Sequence, residues 1–313
     1  MNAIEAMQAE IEYQVQDLHN LNLSSPWVRD SLFVGSGDSY VAGLAAQYFS
    51  GSHAICCYPI DIIKNPSLVE RRNLFIVSIS GNTLANILAA KIAKKHGVSK
   101  TTALTARPSS RLAKSCDQTI ELKYRNTGII TAGTISFVAS MIKCISLTIQ
   151  LRLPSDLRKI YNRAETQAEQ VISKIDNKSR TSSSSYFILG NGQLHAIAMY
   201  GALKFNEVFG ASAIVYPVEE FCHSPLFSIK ETDQAIVLGD NDDNNRKLSK
   251  RLNEEGFSSV HVRFKNTGIE LLLQATFFIQ LLVLKLAQKY GLTSCHFLSN
   301  KKLLRVSSDF IYG

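Results

Sequence analysis

The 313-residue chain contains no Cys-x-x-Cys pair, and none of its six cysteines (Cys56, Cys57, Cys116, Cys144, Cys222, Cys295) stands at ligand spacing from another or from histidine. That argues against zinc and thioredoxin-type motifs and points to reduced, buried thiols in a cytoplasmic protein. Adjacent Cys56 and Cys57 are poorly placed to bridge each other. There is also no long basic tract and no basic–aromatic interleaving. The 34 Lys and Arg exceed the 26 Asp and Glu by 8, but they fall in scattered pairs such as Arg71-Arg72, Lys94-Lys95 and Lys301-Lys302. No nucleic-acid partner is therefore expected, and the modest positive field suits a small anionic substrate. No secretory signal is expected, because the first twenty residues read as an amphipathic helix. The most apolar run, Ile269 to Gln288, is broken by Gln274 and Gln280 and bounded by Glu270 and Lys285. It is too short an apolar core to cross a bilayer, so no membrane association is expected and the run reads as a buried helix. No metal site, nucleotide loop or redox motif stands out, and no cofactor is expected. What remains is the composition of a soluble globular protein, 45% hydrophobic and 19% charged.

Within that composition one pattern occurs twice. "SLFVGSGDSYVAGLAAQYFSG" (31–51) and "YFILGNGQLHAIAMYGALKFNEV" (186–208) each read as an apolar strand, a Gly-x-Gly turn and a long helix, and the first glycines, Gly35 and Gly190, are 155 residues apart. That offset is half the chain, which implies a duplicated domain. "LFIVSIS" (74–80) matches "QAIVLGD" (234–240), and further strands are expected at 101–106, 119–122 and 258–264. Strands alternating with helices predict an α/β fold, with two domains each a parallel sheet flanked by helices in three layers, flavodoxin-like. The expected boundaries are 1–150 for a first, phosphate-binding domain that includes the N-terminal helix, and 151–183 for a linker helix and Ser-rich linker. Residues 184–313 then form a second domain with the catalytic motif and a tail.

Ligands of open parallel sheets bind beyond the carboxyl ends of the strands, where both Gly-x-Gly turns and Ser78-Ile79-Ser80-Gly81-Asn82-Thr83 fall. In the latter, the glycine permits a tight turn, three hydroxyls can donate to a phosphate, and the helix start adds its dipole. There is no lysine, so this is not a nucleotide-hydrolase loop. The plain alternative is a helix cap supplied by Ser80 or Thr83. Ser39, at another strand-to-helix turn, and Thr131, Gly133 and Thr134, before a third helix, shift the weight toward one anionic site. The matching place in the second half, "GDNDDNNR" (239–246), is acidic and would repel phosphate.

"GSGDSY", "SISGNT" and "ALKFNEVFGASAIVYPVEEFCHSP" together resemble the sugar isomerase (SIS) domain in tandem, and in particular the isomerase half of the glutamine–fructose-6-phosphate amidotransferases, from about Ser31 to the C-terminus. The resemblance implies that Ser39, Ser78, Ser80, Thr83 and Thr134 hold a sugar phosphate, with the amides of Ile79 and Ala132 nearby. It implies that Glu207 shuttles a proton between C1 and C2, that Lys204 stabilises the enediolate, and that His223 opens the sugar ring. It further implies a homodimer, with His223 contributed across the interface. Independently, the chemistry needs one carboxylate that removes and returns a proton, donors where the enediolate charge develops, and an acid–base group at the ring oxygen. Lys204 and Glu207 lie three apart on a mostly apolar helix, which disfavours a solvated surface pair. Glu219 and Glu220 could orient His223, and His195 reads as structural.

The departures define the alternatives. No glutaminase domain is expected before residue 1, and Asn2 stands where a nucleophilic cysteine would begin one. Gly128 and Ile135 replace a glutamate and a lysine of the family. Arg305 occupies the place of its tail lysine, and arginine cannot form a Schiff base. Lys301 and Lys302 lie one turn earlier. The expected activity is aldose–ketose isomerisation of a hexose 6-phosphate, with an amino sugar favoured by the motif's spacing, or glucosamine-6-phosphate deamination. Alternatives are a bifunctional phosphoglucose/phosphomannose isomerase, a fructosamine-phosphate deglycase, and a non-catalytic sugar-phosphate sensor.

Overall fold

The structure, a computed structural model, describes residues 1–24, 27–175, 184–240 and 243–313, with Asp243 described by its backbone alone. Most of the expected Ser-rich linker (176–183), and Asn241 and Asp242 of the acidic loop, lie outside the described residues. In chain order the elements are α1 (Ala3–Asp17), β1 (Ser31–Val34), α2 (Asp38–Phe49), β2 (Ile55–Cys57), α3 (Pro59–Lys64), β3 (Asn73–Val77), α4 (Leu84–Ala93), β4 (Lys100–Thr105), α5 (Arg111–Ser115), β5 (Gln118–Glu121) and α6 (Ile135–Ser146). There follow α7 (Leu157–Ile172), β6 (Ser185–Leu189), α8 (Gln193–Phe209), β7 (Ser212–Tyr216), α9 (Val218–His223), β8 (Gln234–Gly239), α10 (Asp243–Glu254), β9 (Ser258–Arg263), α11 (Gly268–Lys289), α12 (His296–Ser299) and α13 (Lys301–Tyr312). They form an α/β protein of two compact units, each with its own parallel sheet flanked by helices.

The five-stranded unit comprises Gln16–Asn126, Gly133–Arg152 and Asn300–Gly313. Its strand order, β2-β1-β3-β4-β5, is that of doubly wound flavodoxin-type sheets. The strands are apolar on both faces because helices cover both. Leu32, Val34, Leu74 and Ile76 pack under α3, α4 and α5 with Ile62, Ile87 and Leu112. Phe33 and Phe75 point the other way and stack at 5.4 Å.

The four-stranded unit comprises Met1–Val15, Thr127–Ala132 and Leu153–Ser299, with the order β7-β6-β8-β9. This repeats the first four positions of the other sheet. Phe187, Leu189, Ala235 and Val237 pack with Val218, Phe221 and Leu252 of α9 and α10. On the other face Ile188 and Ile279 close so tightly on Gly201 of α8 that an added Cβ would sit 3.2 and 3.0 Å from them. Helix α11 is long and apolar enough to cross a membrane, but 83% of its apolar window is buried, packed on α7 and α8. Its two glutamines explain why it can be so: Gln280 accepts from Gln14 of α1 at 2.9 Å and donates to the Tyr200 hydroxyl at 3.1 Å, and Gln274 bonds Gln167 and Asn266 at 2.8 Å each. The polar interruptions are internal cross-links of a core helix.

Both first strands end in the same backbone device. The N-cap glycines Gly37 and Gly192 share a left-handed φ (57° and 54°) and similar ψ (−132° and −126°). Gly35 and Gly190 are required by space, since a Cβ would meet the next helical turn's backbone at 2.7 and 2.6 Å.

Not all the thiols are buried. Cys144 and Cys295 are, but Cys222 is exposed, because α9 turns Val218 and Phe221 inward and residue 222 outward.

Candidate active site

In the five-stranded unit, β1 and β3 are neighbours whose following helices leave on opposite sides, so a crevice opens at their carboxyl ends. The segment 78–83 lines it. Buried Ser78 accepts from the Gly81 amide at 3.2 Å and lies 3.4 Å from the Thr83 hydroxyl, and Ser80 accepts from the Asn82 amide at 3.3 Å. The Ile79 carbonyl is turned away toward β4, held by the Thr105 hydroxyl at 3.1 Å and the Ala106 amide at 3.2 Å. Thr83 is the N-cap residue of α4, yet its side chain makes no capping bond. Simple capping therefore does not account for that hydroxyl.

The starts of α2 and α6 adjoin. A Cβ on Gly133 would lie 2.4 Å from the Asp38 carboxylate. Ser39, half-buried in the first turn of α2, and Thr134, fully buried at the start of α6, flank this contact. Thr134 also makes no side-chain cap. Thr131 departs from expectation: its hydroxyl donates to the Ala3 carbonyl at 2.8 Å, and it belongs with the four-stranded unit.

Gly81 is the fixed point of the loop. Its φ is +63°, and a Cβ would come within 2.1 Å of the Ser110 hydroxyl that caps α5. Gly81→Ala is expected to cost about 1–3 kcal/mol through overpacking, plus about 1 kcal/mol for the left-handed backbone. Urea denaturation would measure the loss, and a midpoint equal to that of the parent protein would contradict it.

In the four-stranded unit, α8 carries Lys204 and Glu207 on one face. Lys204 is 0% exposed, and its ammonium donates to the Glu207 carboxylate at 2.5 Å while lying 5.1 Å from the centre of the Tyr200 ring. Glu207 retains 35% exposure. Next to the pair is Cys295, whose thiol is pushed up chiefly by burial, with the Ala132 backbone, the Thr131 hydroxyl and Lys204 opposing the shift. Segment 127–132 reaches this place because Glu10 of α1 accepts from the Thr127 amide at 3.2 Å and its hydroxyl at 3.0 Å. Tyr200 and Cys295 were not foreseen from sequence. Tyr200 had a signal, since it lies one turn before Lys204 on the same helix face.

His223 ends α9. The Val218 amide donates to the Asn191 side chain at 2.9 Å and Phe221 packs on Phe187 at 5.5 Å, so the helix is fixed and His223 faces outward, exposed. Glu219 and Glu220 are exposed and form no ion pair or hydrogen bond with it among the described residues. His195 is held by the backbone of Gly190 and Tyr216, and burial keeps its pKa below the usual 6.5. A histidine favoured in its neutral form stabilises the fold above the unfolded pKa and loses that contribution as pH falls. The four-stranded unit should thus weaken between pH 7 and 5, and His195→Gln should flatten the fall in urea midpoint over that range. Arg305 lies exposed on α13, which packs on α4 and whose Leu304, Ser308 and Ile311 are half-buried, and Lys301 and Lys302 are also exposed.

No family model matches the chain. It is similar to the isomerizing glutamine–fructose-6-phosphate aminotransferase of Sulfolobus acidocaldarius, 28% identical over 66% of this chain and 36% of that protein. The enzyme of the same name from Caldanaerobacter subterraneus is 25% identical over 76% of this chain and 42% of that protein. The chain thus spans about two fifths of these relatives' length. Among solved structures, glucosamine-6-phosphate deaminase from Thermotoga maritima superposes with a TM-score of 0.69 at 22% identity, covering 92% of each chain. Tagatose-6-phosphate ketose/aldose isomerase from Escherichia coli gives 0.68 at 16% identity, covering 93% of this chain and 94% of that one. The C-terminal domain of glucosamine-fructose-6-phosphate aminotransferase from Francisella tularensis gives 0.65 at 21%, covering 92% and 94%. The fold of this chain is therefore one that phosphosugar isomerases and deaminases share.

Proposed function

We propose that this protein is a tandem SIS-domain enzyme that moves a proton between C1 and C2 of a hexose 6-phosphate, an amino sugar being the favoured substrate. The observation that carries this reading is the Lys204–Glu207 contact: a fully buried ammonium on a carboxylate that solvent still reaches. Surface ion pairs are not built so, whereas a carboxylate held beside a cation in a partly dry place suits proton transfer with charge developing on an adjacent oxygen. Glu207 takes the proton from C2, Lys204 stabilises the enediolate oxygens, and Glu207 returns the proton to C1. With a 2-amino group the same carbanion chemistry leads through an enolamine to ketose and ammonia, water supplying the oxygen. Ser39, Ser78, Ser80, Thr83 and Thr134, with the amides of Ile79 and Ala132, hold the phosphate. Thr83, whose side chain does not cap its helix, supports that role. His223 opens the sugar ring in the site of a second copy, a reading that its outward position on a fixed helix favours. Arg305, always protonated, supplies charge from the tail and no imine.

The test is proton NMR of fructose 6-phosphate and glucosamine 6-phosphate with the protein in D₂O, with and without ammonium. Deuterium should enter C1 or C2, and ammonium dependence separates deaminase from isomerase. Saturable binding with no exchange in any hexose 6-phosphate would replace this reading with that of a sensor.

A further inference from the structure

The two sheets differ at one place. In the five-stranded unit β4 is followed by α5 and β5, and β5 pairs along its outer edge. In the other unit β9 runs directly into α11, and among the described residues no strand pairs with the outer edge of β9. Parallel strands alternate their hydrogen-bonding sides, and the Phe264 amide bonds the Gly239 carbonyl of β8 at 2.8 Å. Residues 259, 261 and 263 therefore present N–H and C=O outward.

Side-chain amides cover two of these three positions. Asn253 of α10 both accepts from the Ser259 amide and donates to its carbonyl, each at 2.9 Å, as the peptide of a fifth strand would. Gln167 of α7 donates to the Arg263 carbonyl at 2.7 Å. Between the two covers, the backbone of His261 faces outward into an open groove of about 650 Å³. The groove is lined by Lys174 after α7, by Arg246 and Lys250 of α10, and by Ser249 and Ser259. Three cations thus stand around one outward N–H. Among the described residues that line the groove the acid is Glu254, and it is already paired with Arg251 at 2.9 Å and Lys250 at 3.5 Å.

One buried atom here also lacks the partner that burial normally demands. The His261 imidazole folds back against Gly239, and its buried Nε2 has no hydrogen-bond partner. Ser249, 4% exposed, accepts from the Ser259 hydroxyl at 2.9 Å and donates to no described group.

We propose that the fifth-strand position beside β9, which no strand among the described residues fills, is a second anion site, which takes the phosphoryl group of a small molecule between Arg246, Lys250 and Lys174. The outward His261 N–H and the Ser249 hydroxyl supply neutral donors. The amide covers on Ser259 and Arg263 keep the position from extending into a strand, so the occupant is a compact anion and not an added peptide. The site is formed by residues other than those assigned to the reaction, and the inference stands whether or not the proposed function does.

Isothermal titration of the full chain with inorganic phosphate tests it, with glucose 6-phosphate and adenosine 5′-monophosphate as separate arms that distinguish free phosphate from a sugar or nucleoside ester. Two phosphates per chain are expected. Arg246→Glu should weaken one of them about tenfold or more, the scale of a lost charge-assisted hydrogen bond. Lys247→Glu, the same charge change one residue along, should leave it unaltered. Ser80→Ala combined with Thr83→Ala should weaken only the other phosphate, so that failure of the cradle and failure of this site are told apart. In the NMR spectrum the His261 ring protons should shift on saturation of the Arg246-sensitive site. Equal responses to Arg246→Glu and Lys247→Glu would mean a general field and no site. A single phosphate lost with Ser80 and Thr83 would likewise overturn the proposal.

Discussion

Glu207→Gln should reduce proton exchange at C1 and C2 of the substrate by about 10²–10⁴-fold, the range in which a positioned acid–base group contributes. Glutamine keeps an oxygen for the Lys204 ammonium to donate to, so the buried lysine retains a hydrogen-bond acceptor at nearly the same distance as the carboxylate 2.5 Å away. What is lost is the lone pair that accepts a proton. Binding of the sugar phosphate should persist, because the hydroxyls of segment 78–83 and the starts of α2 and α6 are untouched. The loss should therefore appear in kcat far more than in KM. Exchange retained within a few-fold of the parent rate would remove Glu207 from the role of base and leave the pair as a structural element.

The same pair predicts an asymmetry in stability. Glu207→Leu deprives a fully buried ammonium of the carboxylate it contacts, which should cost about 3 kcal/mol. That is the low end of what breaking a buried pair costs, because Glu207 is 35% exposed and water can approach the vacated side. Lys204→Met removes the buried charge instead and leaves a carboxylate that solvent hydrates, which should cost about 1 kcal/mol or less. The double variant Lys204→Met/Glu207→Leu should recover most of the Glu207→Leu loss. Urea denaturation of the three proteins closes the cycle. Equal costs for the two single variants would show that the ammonium is not desolvated.

Both Gly-x-Gly junctions, with the strands before them and the helices after them, could be read from sequence because apolar runs, obligatory glycines and helical periodicity coincide there. β2 and β7 could not. β2 is only three residues long, Ile55 to Cys57, and β7, though apolar from Ala213 to Tyr216, is five residues long, lies close behind α8 and is only half-buried, so neither stands out as a core strand. The spacing of Lys204 and Glu207 was visible. The complete burial of the lysine was not, because it depends on elements distant in sequence that close over α8. Thr131 shows the limit most clearly. Its position near Gly133 and Thr134 suggested a ligand donor, but its partner is a carbonyl 128 residues away, and no local pattern announces such a bond. The absence of a fifth strand after β9 was likewise hidden, since sequence similarity between the halves draws attention to what is repeated and away from what is missing.

Helix α11 carries a consequence for how the chain is made. Its 22 residues are made after α7 and α8, the two helices it packs on, have already left the ribosome. Until residue 289 emerges, those earlier helices hold open an apolar trough that only α11 fills. The growing chain therefore passes through a long interval in which its stickiest surface waits for its last major partner, the situation in which nascent chains rely on chaperones. A chain stopped before Gly268 should collect in the insoluble fraction, whereas one stopped after Gly291 should keep the four-stranded unit folded.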